Sequence, residues 1–223
     1  MGARDVLLAT RNDHKLVEIR DLLQDVPIRI VSPDDVGIPP DPGEDGVERW
    51  ETFEANALAK AAWFRERSGL PTLADDSGLC VDALHGAPGV WSRRFAPDEE
   101  IGPEGRDTAN NRHLLRLLRG RPPAERSAHY RCALALIAET FQVVVFGRCD
   151  GSIATETRGG GGFGYDPLFV VPGLGDTFGE LPPAVKAERS HRAAAVRGMR
   201  PWLAPMCAAP GDTIVMRSDG GSR

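Results

Sequence analysis

The sequence lacks the features typical of membrane, exported and nucleic-acid-binding proteins. No apolar run approaches the roughly 18 residues that a transmembrane helix needs, and the N-terminal residues contain no long apolar segment of a secretory signal. The formal net charge is −5 at pH 7, and no basic stripe of the kind that binds duplexes is present. We therefore expect no membrane partner, no nucleic-acid partner and a cytoplasmic location.

Cysteine is also scarce, and its spacing argues against the common zinc and redox motifs. The four cysteines, at positions 80, 132, 149 and 207, include no CxxC pair. Cys80 and Cys132 lie in apolar runs, as small buried residues do. With no sign of export, this usage fits a reducing compartment.

Lysine is the rarest charged residue, because it occurs only as Lys15, Lys60 and Lys186, whereas 24 of the 27 basic residues are arginine. The lysine ammonium is a compact, strongly hydrated point charge that suits phosphate oxygens. The three lysines either persist by chance or share a phosphate site, and the composition leaves both interpretations open.

Apolar periodicity in the first half of the chain predicts alternating strands and helices. Strands are expected over residues 5–9 and 28–33, and helices over residues 12–26 and 53–67. With 41% hydrophobic residues among 223, the chain can bury a sizeable core. The segment TLADDSGLCVDAL, residues 72–84, predicts a strand, a sharp turn and a second strand.

The second half of the sequence first predicts a third helix, residues 107–119, capped by Asp107 or Thr108. Three more elements are expected: a hairpin of two strands, a glycine-rich loop that leads into a strand, and a last helix, over residues 128–154, 158–171 and 181–203. Strands that first alternate with helices and later pair in a hairpin favour an α/β fold with a mixed sheet.

A polar segment, TRNDHK, follows the first predicted strand and opens the first helix, with Asn12 or Asp13 as its N-cap. Backbone N–H groups at the positive end of a helix dipole, together with Lys15, form an anion site. The Walker A pattern GxxxxGK[ST] is absent. An ordinary capped strand-to-helix turn would have the same residues.

Two adjacent carboxylates, Asp75 and Asp76, lie in the segment ADDSGL. Neighbouring strand residues point to opposite faces, so only one of the two can face a given cleft. A divalent cation with a phosphate substrate takes one or two carboxylates plus water. The competing interpretation is a simple polar turn, in which Asp, Ser and Gly are common.

The helix that follows Thr52 carries Asn56 and Lys60 on one face, where the lysine can reach a phosphate. A solvated helix face is the alternative. Glu48 and Glu51 precede this helix as candidate metal ligands. Other acids in the same loop compete for that role: Asp41, Glu44 and Asp45.

The glycine-rich segment RGGGGFGYDPLF suits a backbone that must approach a ligand closely. Phe163 and Tyr165 offer rings on which a base can stack, and Asp166 can accept hydrogen bonds from a base edge. Downstream, the segment KAERSHR brings further cationic and imidazole side chains onto the last helix.

In chain order these segments resemble the inosine/xanthosine triphosphate pyrophosphatase family, also called the Ham1 or non-standard purine NTP pyrophosphatase family. The resemblance runs from Val6 to Leu203. It rests on the following segments: TRNDHK, TFEANALAKA, LADDSGLCVDALHGAPGVWSRRF, GGFGYDPLF and KAERSHRAAA. One departure is Ala55, where the family often has a Glu that completes a capping box with Thr52.

The resemblance implies a two-lobed α/β fold, in which helices flank a long mixed central β-sheet and an active-site cleft lies between the lobes. It implies a single domain over residues 1–203, followed by a flexible C-terminal tail over residues 204–223. It also implies a homodimer that uses Mg²⁺ to hydrolyse ITP, dITP and XTP to the monophosphate and pyrophosphate.

The resemblance also assigns roles by matching motif. Asp76 is the expected catalytic residue and metal ligand, joined at the metal by Glu48, with Glu44 as the alternative. The residues expected to bind substrate are Thr10, Arg11, Asn12, Asp13, His14, Lys15, Lys60, Ser77, Phe163, Gly164, Tyr165, Asp166, Lys186, His191 and Arg192. Among these, Lys15 and Lys60 would contact phosphate, and Phe163 would stack on the base.

Two other functions remain open at this point. A Maf-like nucleotide pyrophosphatase with pyrimidine preference shares the architecture. A nucleotide-binding regulatory module would bind the same ligand without turnover. Comparing hydrolysis of purine and pyrimidine triphosphates distinguishes these possibilities.

Overall fold

A computed structural model describes residues 3–204, apart from the side chain of Asp45. Its strands are β1 (Arg4–Leu8), β2 (Ile28–Val31), β3 (Thr72–Val81), β4 (Ser127–Ile137), β5 (Gln142–Ile153) and β6 (Phe169–Val170). They form one sheet in the order β2-β1-β3-β4-β5-β6. Strand β1 pairs in parallel with β2 and β3, whereas β3 to β6 pair antiparallel. The predicted mixed sheet and the β4–β5 hairpin are confirmed.

The helices that flank this sheet are α1 (Asp13–Leu22), α2 (Phe53–Ser68), α3 (Arg106–Leu117), α4 (Pro183–Arg189) and α5 (His191–Leu203). Asn12 caps α1 by accepting a hydrogen bond from the Lys15 backbone N–H at 3.1 Å. Thr52 likewise caps α2, so its start remains capped without a Glu at Ala55. Within residues 3–204, no helix combines the length and apolarity needed to cross a membrane.

The turn predicted within residues 72–84 is wrong. Instead β3 continues unbroken from Thr72 to Val81 and pairs with β4 along its whole length. Gly78 lies in this strand because the 3-10 helix Gly89–Arg94 packs against it. A Cβ atom at Gly78 would collide with the Gly89 carbonyl oxygen and with Ser92 Oγ. The glycine therefore permits a close approach rather than a turn.

The single last helix predicted over residues 181–203 is also wrong, because the chain forms two helices that meet at Ser190. This residue is extended, with φ −68° and ψ 157°, and its side chain accepts a hydrogen bond from the Ala193 N–H at 3.1 Å. Ser190 thus ends α4 and caps α5.

The predicted cap of α3 by Asp107 or Thr108 is wrong as well. The N-cap is Gly105, which has no side chain to offer. The Asp107 carboxylate instead accepts a hydrogen bond from the Gly164 backbone N–H at 2.8 Å. The helix therefore begins one residue earlier than its polar residues predict.

Three hydrophobic clusters give the molecule two lobes. One cluster packs α1 and α5 on one sheet face, and a second packs α2 on the other face. Together these clusters form the first lobe. The third cluster packs α3 and the segment around Phe169 and Phe178 against the far ends of β3, β4 and β5, forming the second lobe. These strands run through both lobes, which confirms the two-lobed fold. Of the predicted tail, residues 205–223 lie outside the described part of the chain.

Candidate active site

The middle of β3 places two carboxylates between the two lobes. Leu73 and Ala74 belong to the cores of the first lobe, whereas Leu79 belongs to the core of the second. Asp75 faces α1 and α5, and Asp76 faces α2, as strand alternation predicts. The carboxylates therefore occupy opposite sides of the sheet.

Asp75 is completely buried and is held by cations. Its carboxylate oxygens lie 3.1 Å from Lys15 Nζ and 3.2 Å from Arg192 Nε, and Ser77 Oγ donates a hydrogen bond to it at 3.0 Å. Burial alone would raise the pKa of Asp75, but Lys15, Arg192 and Lys60 outweigh it and hold the pKa well below its ordinary value. Asp75 is therefore a permanent counterion.

Asp76 has the opposite electrostatic environment. Burial, together with the charge of Glu48, raises the pKa of Asp76 to about 6, although Lys60, Lys15 and a hydrogen bond from Asn56 oppose the shift. Asn56 Nδ2 donates to Asp76 Oδ2 at 3.0 Å. A carboxyl group with this pKa can take or hold a proton near neutral pH, as a general base must.

Helix α2 supplies the groups that surround Asp76. Asn56 is 2% exposed and is fixed by two hydrogen bonds with the Trp50 backbone, at 2.8 and 3.1 Å. Lys60 Nζ donates to the Asp75 carbonyl oxygen at 2.6 Å and pairs with Glu48. Burial would lower the pKa of Lys60, but Glu48 and the two aspartates hold it above its ordinary value. This face of α2 is thus buried rather than solvated.

Glu48 and Glu44 occupy different surroundings. Burial would raise the pKa of Glu48, but attraction to Lys60 outweighs this and lowers it. Glu44 pairs instead with Arg11, whose Nη2 lies 2.7 Å from Glu44 Oε1. Only Glu48 shares a lysine with the Asp75–Asp76 segment.

The other end of the site forms around Phe163. The His14 ring stacks on it with centroids 5.2 Å apart, and Lys186 Nζ lies 4.5 Å from its centroid. Asp166 accepts hydrogen bonds from Lys186 Nζ at 2.6 Å and from the Phe163 N–H at 2.8 Å. Burial raises the pKa of Asp166 despite the opposing charge of Lys186.

Glu18 is a site residue that sequence reasoning missed. It lies 2.6 Å from Lys186 Nζ and also pairs with Arg192. Its position three residues after Lys15 places both side chains on the same face of α1, which was the available signal. Glu18 therefore links the first helix to both helices at the end of the chain.

Most of these groups line one cavity of about 410 Å³, whereas Asp75, Asn56 and Glu18 hold lining residues without lining it themselves. Of the predicted site residues, the following line it: Thr10, Arg11, Asn12, His14, Lys15, Glu48, Lys60, Asp76, Ser77, Phe163, Gly164, Tyr165, Asp166, Lys186, His191 and Arg192. Asp13 does not line the cavity but is exposed at the start of α1. The scattered segments therefore converge.

Two of the lining residues are more enclosed than a simple stacking or surface role requires. Tyr165 is 3% exposed, and its hydroxyl donates to the Ser92 carbonyl oxygen at 2.9 Å. His191 is 4% exposed and stacks on Tyr130 with centroids 4.6 Å apart. Burial, then the charges of Arg192 and Lys186, lower the pKa of His191 well below its ordinary value.

The donor set fits a hard divalent cation that is held jointly with a substrate. Asp76 and Glu48 both line the cavity and offer carboxylate oxygens. Within the described residues, no group of three or more His, Cys, Asp or Glu side chains forms a metal cage. Mg²⁺ is commonly bound by one or two carboxylates together with substrate phosphates and water, so two carboxylates suffice.

Comparison with known proteins identifies the class to which this fold and site belong. The Ham1 family profile matches residues 6–202, so the chain belongs to the Ham1 family. It is 45% identical over 205 residues to a dITP/XTP pyrophosphatase of Nocardia farcinica, covering 90% of this chain and 95% of the relative. It is 44% identical to a dITP/XTP pyrophosphatase of Burkholderia pseudomallei, covering 87% and 90%.

Solved structures show the same fold. A HAM1 protein from Coxiella burnetii superposes with a TM-score of 0.77 at 35% identity, covering 91% of this chain and 99% of that one. A nucleoside-triphosphatase, dITP/XTP pyrophosphatase, from Mycobacterium abscessus superposes with a TM-score of 0.67 at 40% identity, covering 89% and 99%. The similarity therefore extends across both lobes.

Proposed function

We propose that the chain hydrolyses non-standard purine nucleoside triphosphates (ITP, dITP and XTP) between the α- and β-phosphates. The products are the nucleoside monophosphate and pyrophosphate, so the reaction removes these nucleotides from the cellular pool. The observation that carries the proposal is the convergence of Lys15, Lys60 and Asp76 with Phe163 and Asp166 around one cavity. The dITP/XTP pyrophosphatase names of the relatives agree with it.

In this proposal the chain's own residues move one proton and stabilise charge. Asp76, a carboxylate that lines the cavity, accepts a proton from the attacking water as a general base. Lys15 and Lys60, which both line the cavity, would stabilise the negative charge on the departing pyrophosphate. Asn56 fixes the orientation of the Asp76 carboxylate.

We further propose a requirement for Mg²⁺, with Asp76 and Glu48 as its protein ligands. When bound, Mg²⁺ reduces the negative charge of the phosphate oxygens that would repel an incoming nucleophile. The support is that Asp76 and Glu48 both line the cavity, and that Glu48 pairs with Lys60, which also contacts the Asp75 carbonyl oxygen. Glu44 lines the cavity as well but pairs with Arg11 instead.

Base selection follows from the groups around Phe163. Lys186 can donate a hydrogen bond to the 6-oxo oxygen of hypoxanthine or xanthine, and Asp166 can accept one from their N1–H. Adenine has an amino donor where these bases have the oxo group, so it leaves a buried donor unpaired. Such a mismatch can discriminate by several powers of ten.

The test is a kinetic panel with Mg²⁺ in which pyrophosphate and orthophosphate release are measured separately. We expect pyrophosphate from ITP, dITP and XTP, and much slower turnover of ATP. GTP shares the 6-oxo oxygen and the N1–H, so its turnover measures the effect of the 2-amino group. Equal turnover of ATP would contradict the base selection, and preference for UTP or dTTP would favour the Maf-like alternative. Binding of ITP without hydrolysis would favour a regulatory module. The purine names of the relatives lend no support to the pyrimidine alternative.

We also propose a homodimer in the cytoplasm, built from one domain over residues 1–203. The support is the family resemblance and the cysteine usage. Light scattering after size exclusion is expected to give twice the 24.1 kDa mass of the chain. A monomeric mass at assay concentration would contradict the dimer.

A further inference from the structure

Helix α3 binds both backbone polar groups of one residue in the glycine-rich loop, Gly164. Asp107 Oδ2 accepts a hydrogen bond from the Gly164 N–H at 2.8 Å, and Asn111 Nδ2 donates to the Gly164 carbonyl oxygen at 2.9 Å. Asp107 and Asn111 are four residues apart and thus lie on one helix face. We call this pair the α3 clamp.

The clamped residue lies between the two side chains that would meet the base. Gly164 separates Phe163 from Tyr165 and Asp166, and it has φ +61°, in the left-handed region that favours glycine. Gly162, just before Phe163, has φ +72°. Because a glycine flanks Phe163 on each side, the backbone there can adopt several conformations, and contacts from other segments are needed to hold one of them.

Helix α3 is itself firmly anchored, so the clamp has a rigid base. Asn110 accepts a hydrogen bond from the Ala96 N–H at 2.8 Å and donates to the carbonyl oxygens of Ser92 and Arg93 at 3.3 and 3.2 Å. Leu114 is fully buried in the core of the second lobe. Helix α3 therefore ties the conformation of the loop to the core of the second lobe.

We propose that Asp107 and Asn111 are positioning residues for base recognition, acting through the Gly164 peptide on Phe163 and Asp166. This inference rests on the proposed function. Asn111 does not line the catalytic cavity, so it acts without touching the substrate. Asp107 does line the cavity. A similar rise in KM when Asn111 is replaced would show that the pair positions the loop, because Asn111 cannot contact the substrate.

The test compares a nucleotide with a base-free polyphosphate. In Asp107→Ala and Asn111→Ala, we expect the KM for ITP to rise about tenfold, as the loss of one hydrogen bond would give. We expect kcat and the inhibition constant of inorganic tripolyphosphate to stay within about twofold, because neither depends on the base.

Three controls make the result specific. Asp107→Asn keeps a side-chain oxygen that can accept from the Gly164 N–H, so it should restore the KM. The double alanine variant should raise KM by less than the product of the single effects, since both side chains hold the same residue, Gly164. Thr108→Ala, which loses only a 3.2 Å hydrogen bond to the Glu104 carbonyl oxygen, should behave as wild type.

Two results would overturn the inference while leaving the proposed function intact. One is an unchanged KM for ITP in both alanine variants of an enzyme that hydrolyses ITP. The other is an equal loss of tripolyphosphate affinity, which would indicate general damage. If Asn111→Ala does not fold, Asn111→Leu takes its place in the comparison, because it also removes the donor but fills this buried position. A wild-type chain that does not hydrolyse ITP contradicts the proposed function itself.

Discussion

Asp75 and Asp76 are neighbours in one strand, but their environments shift their pKa values in opposite directions. Lys15 and Arg192 contact Asp75 directly, whereas Asp76 receives a neutral hydrogen bond from Asn56. A pair of carboxyl groups separated in this way supplies one fixed charge and one group able to exchange a proton. The chemistry we propose depends on this separation.

Replacing Asp76 by asparagine should therefore remove catalysis without unfolding the chain. We expect Asp76→Asn to lower kcat/KM for ITP by at least about a thousandfold, within the range for loss of a general base. Pyrophosphate release measures activity, and circular dichroism measures the fold. Asp21→Asn, at an exposed position outside the cavity lining, is the matched control. Retained activity in Asp76→Asn would refute its assigned role.

His191 should make the native state sensitive to acid. Its pKa is lowered well below 6.5 by burial, so below pH 6.5 the unfolded chain binds a proton that the folded chain does not. The stability from His191 is thus fully present above pH 6.5 and is lost as the pH falls. One pH unit below 6.5, the contribution of His191 should have lowered the free energy of unfolding by about 1.4 kcal/mol.

Urea unfolding at pH 7.5 and at pH 5.5 checks this prediction. The drop in the free energy of unfolding between these two conditions should be larger in wild type than in His191→Gln. Equal drops would show that His191 does not carry the effect.

At the residue scale, sequence predicted most of the cavity lining but not the ionic partners. Strand alternation correctly indicated that one aspartate faces the cavity, and the family motif indicated Asp76. Glu18 escaped because its partner Arg192 lies 174 positions away, and local spacing carries no information on such contacts. Asp13 was included only because its neighbours on both sides belong to the site.

At the element scale, β3 is the strand that both lobes share, and Gly78 marks where the 3-10 helix Gly89–Arg94 crosses it. Gly78→Ala should lower the free energy of unfolding by about 2 kcal/mol or more, because its Cβ meets backbone at Gly89. Gly198→Ala is the contrasting change, since its Cβ would lie 3.6 Å from Val145 in ordinary contact. It should stabilise α5 by about 0.5–1 kcal/mol.

Urea denaturation of the two glycine variants provides the measurement. A Gly78→Ala protein as stable as wild type would contradict the close packing at β3. A destabilised Gly198→Ala protein would contradict the ordinary contact expected between a Cβ at position 198 and Val145.

Periodicity predicted the existence and type of nearly every long element. It failed where a residue type is common in two kinds of local structure. Ser-Gly in ADDSGL serves as a turn in many proteins, but here it lies within a strand because another segment packs against the glycine. Ser190 reads as part of a helix, although its side chain caps α5. These outcomes depend on tertiary neighbours, which local patterns do not encode.

At the scale of the whole molecule, the rarity of lysine has an explanation. Lys15, Lys60 and Lys186 all line the same cavity, in a chain that uses arginine at its other basic positions. Each is paired with buried or half-buried carboxylates. The shared location favours the phosphate-site interpretation of the three lysines over chance.

Substituting arginine for one of these lysines should therefore be harmful. Lys60 has 12% of its side chain exposed and contacts both Glu48 and the Asp75 carbonyl oxygen, leaving little room for a planar guanidinium. We expect Lys60→Arg to lower kcat/KM at least about tenfold. Arg119→Lys, at an exposed position outside the cavity, should have no effect. Full activity in Lys60→Arg would indicate that charge alone is needed.

The most direct test of the central claim is a crystal structure of Asp76→Asn with dITP and Mg²⁺. We expect one nucleotide in the cavity, with its phosphates at Lys15 and Lys60 and its base between Phe163 and Asp166. A nucleotide bound elsewhere, or bound in the reverse orientation, would contradict that claim.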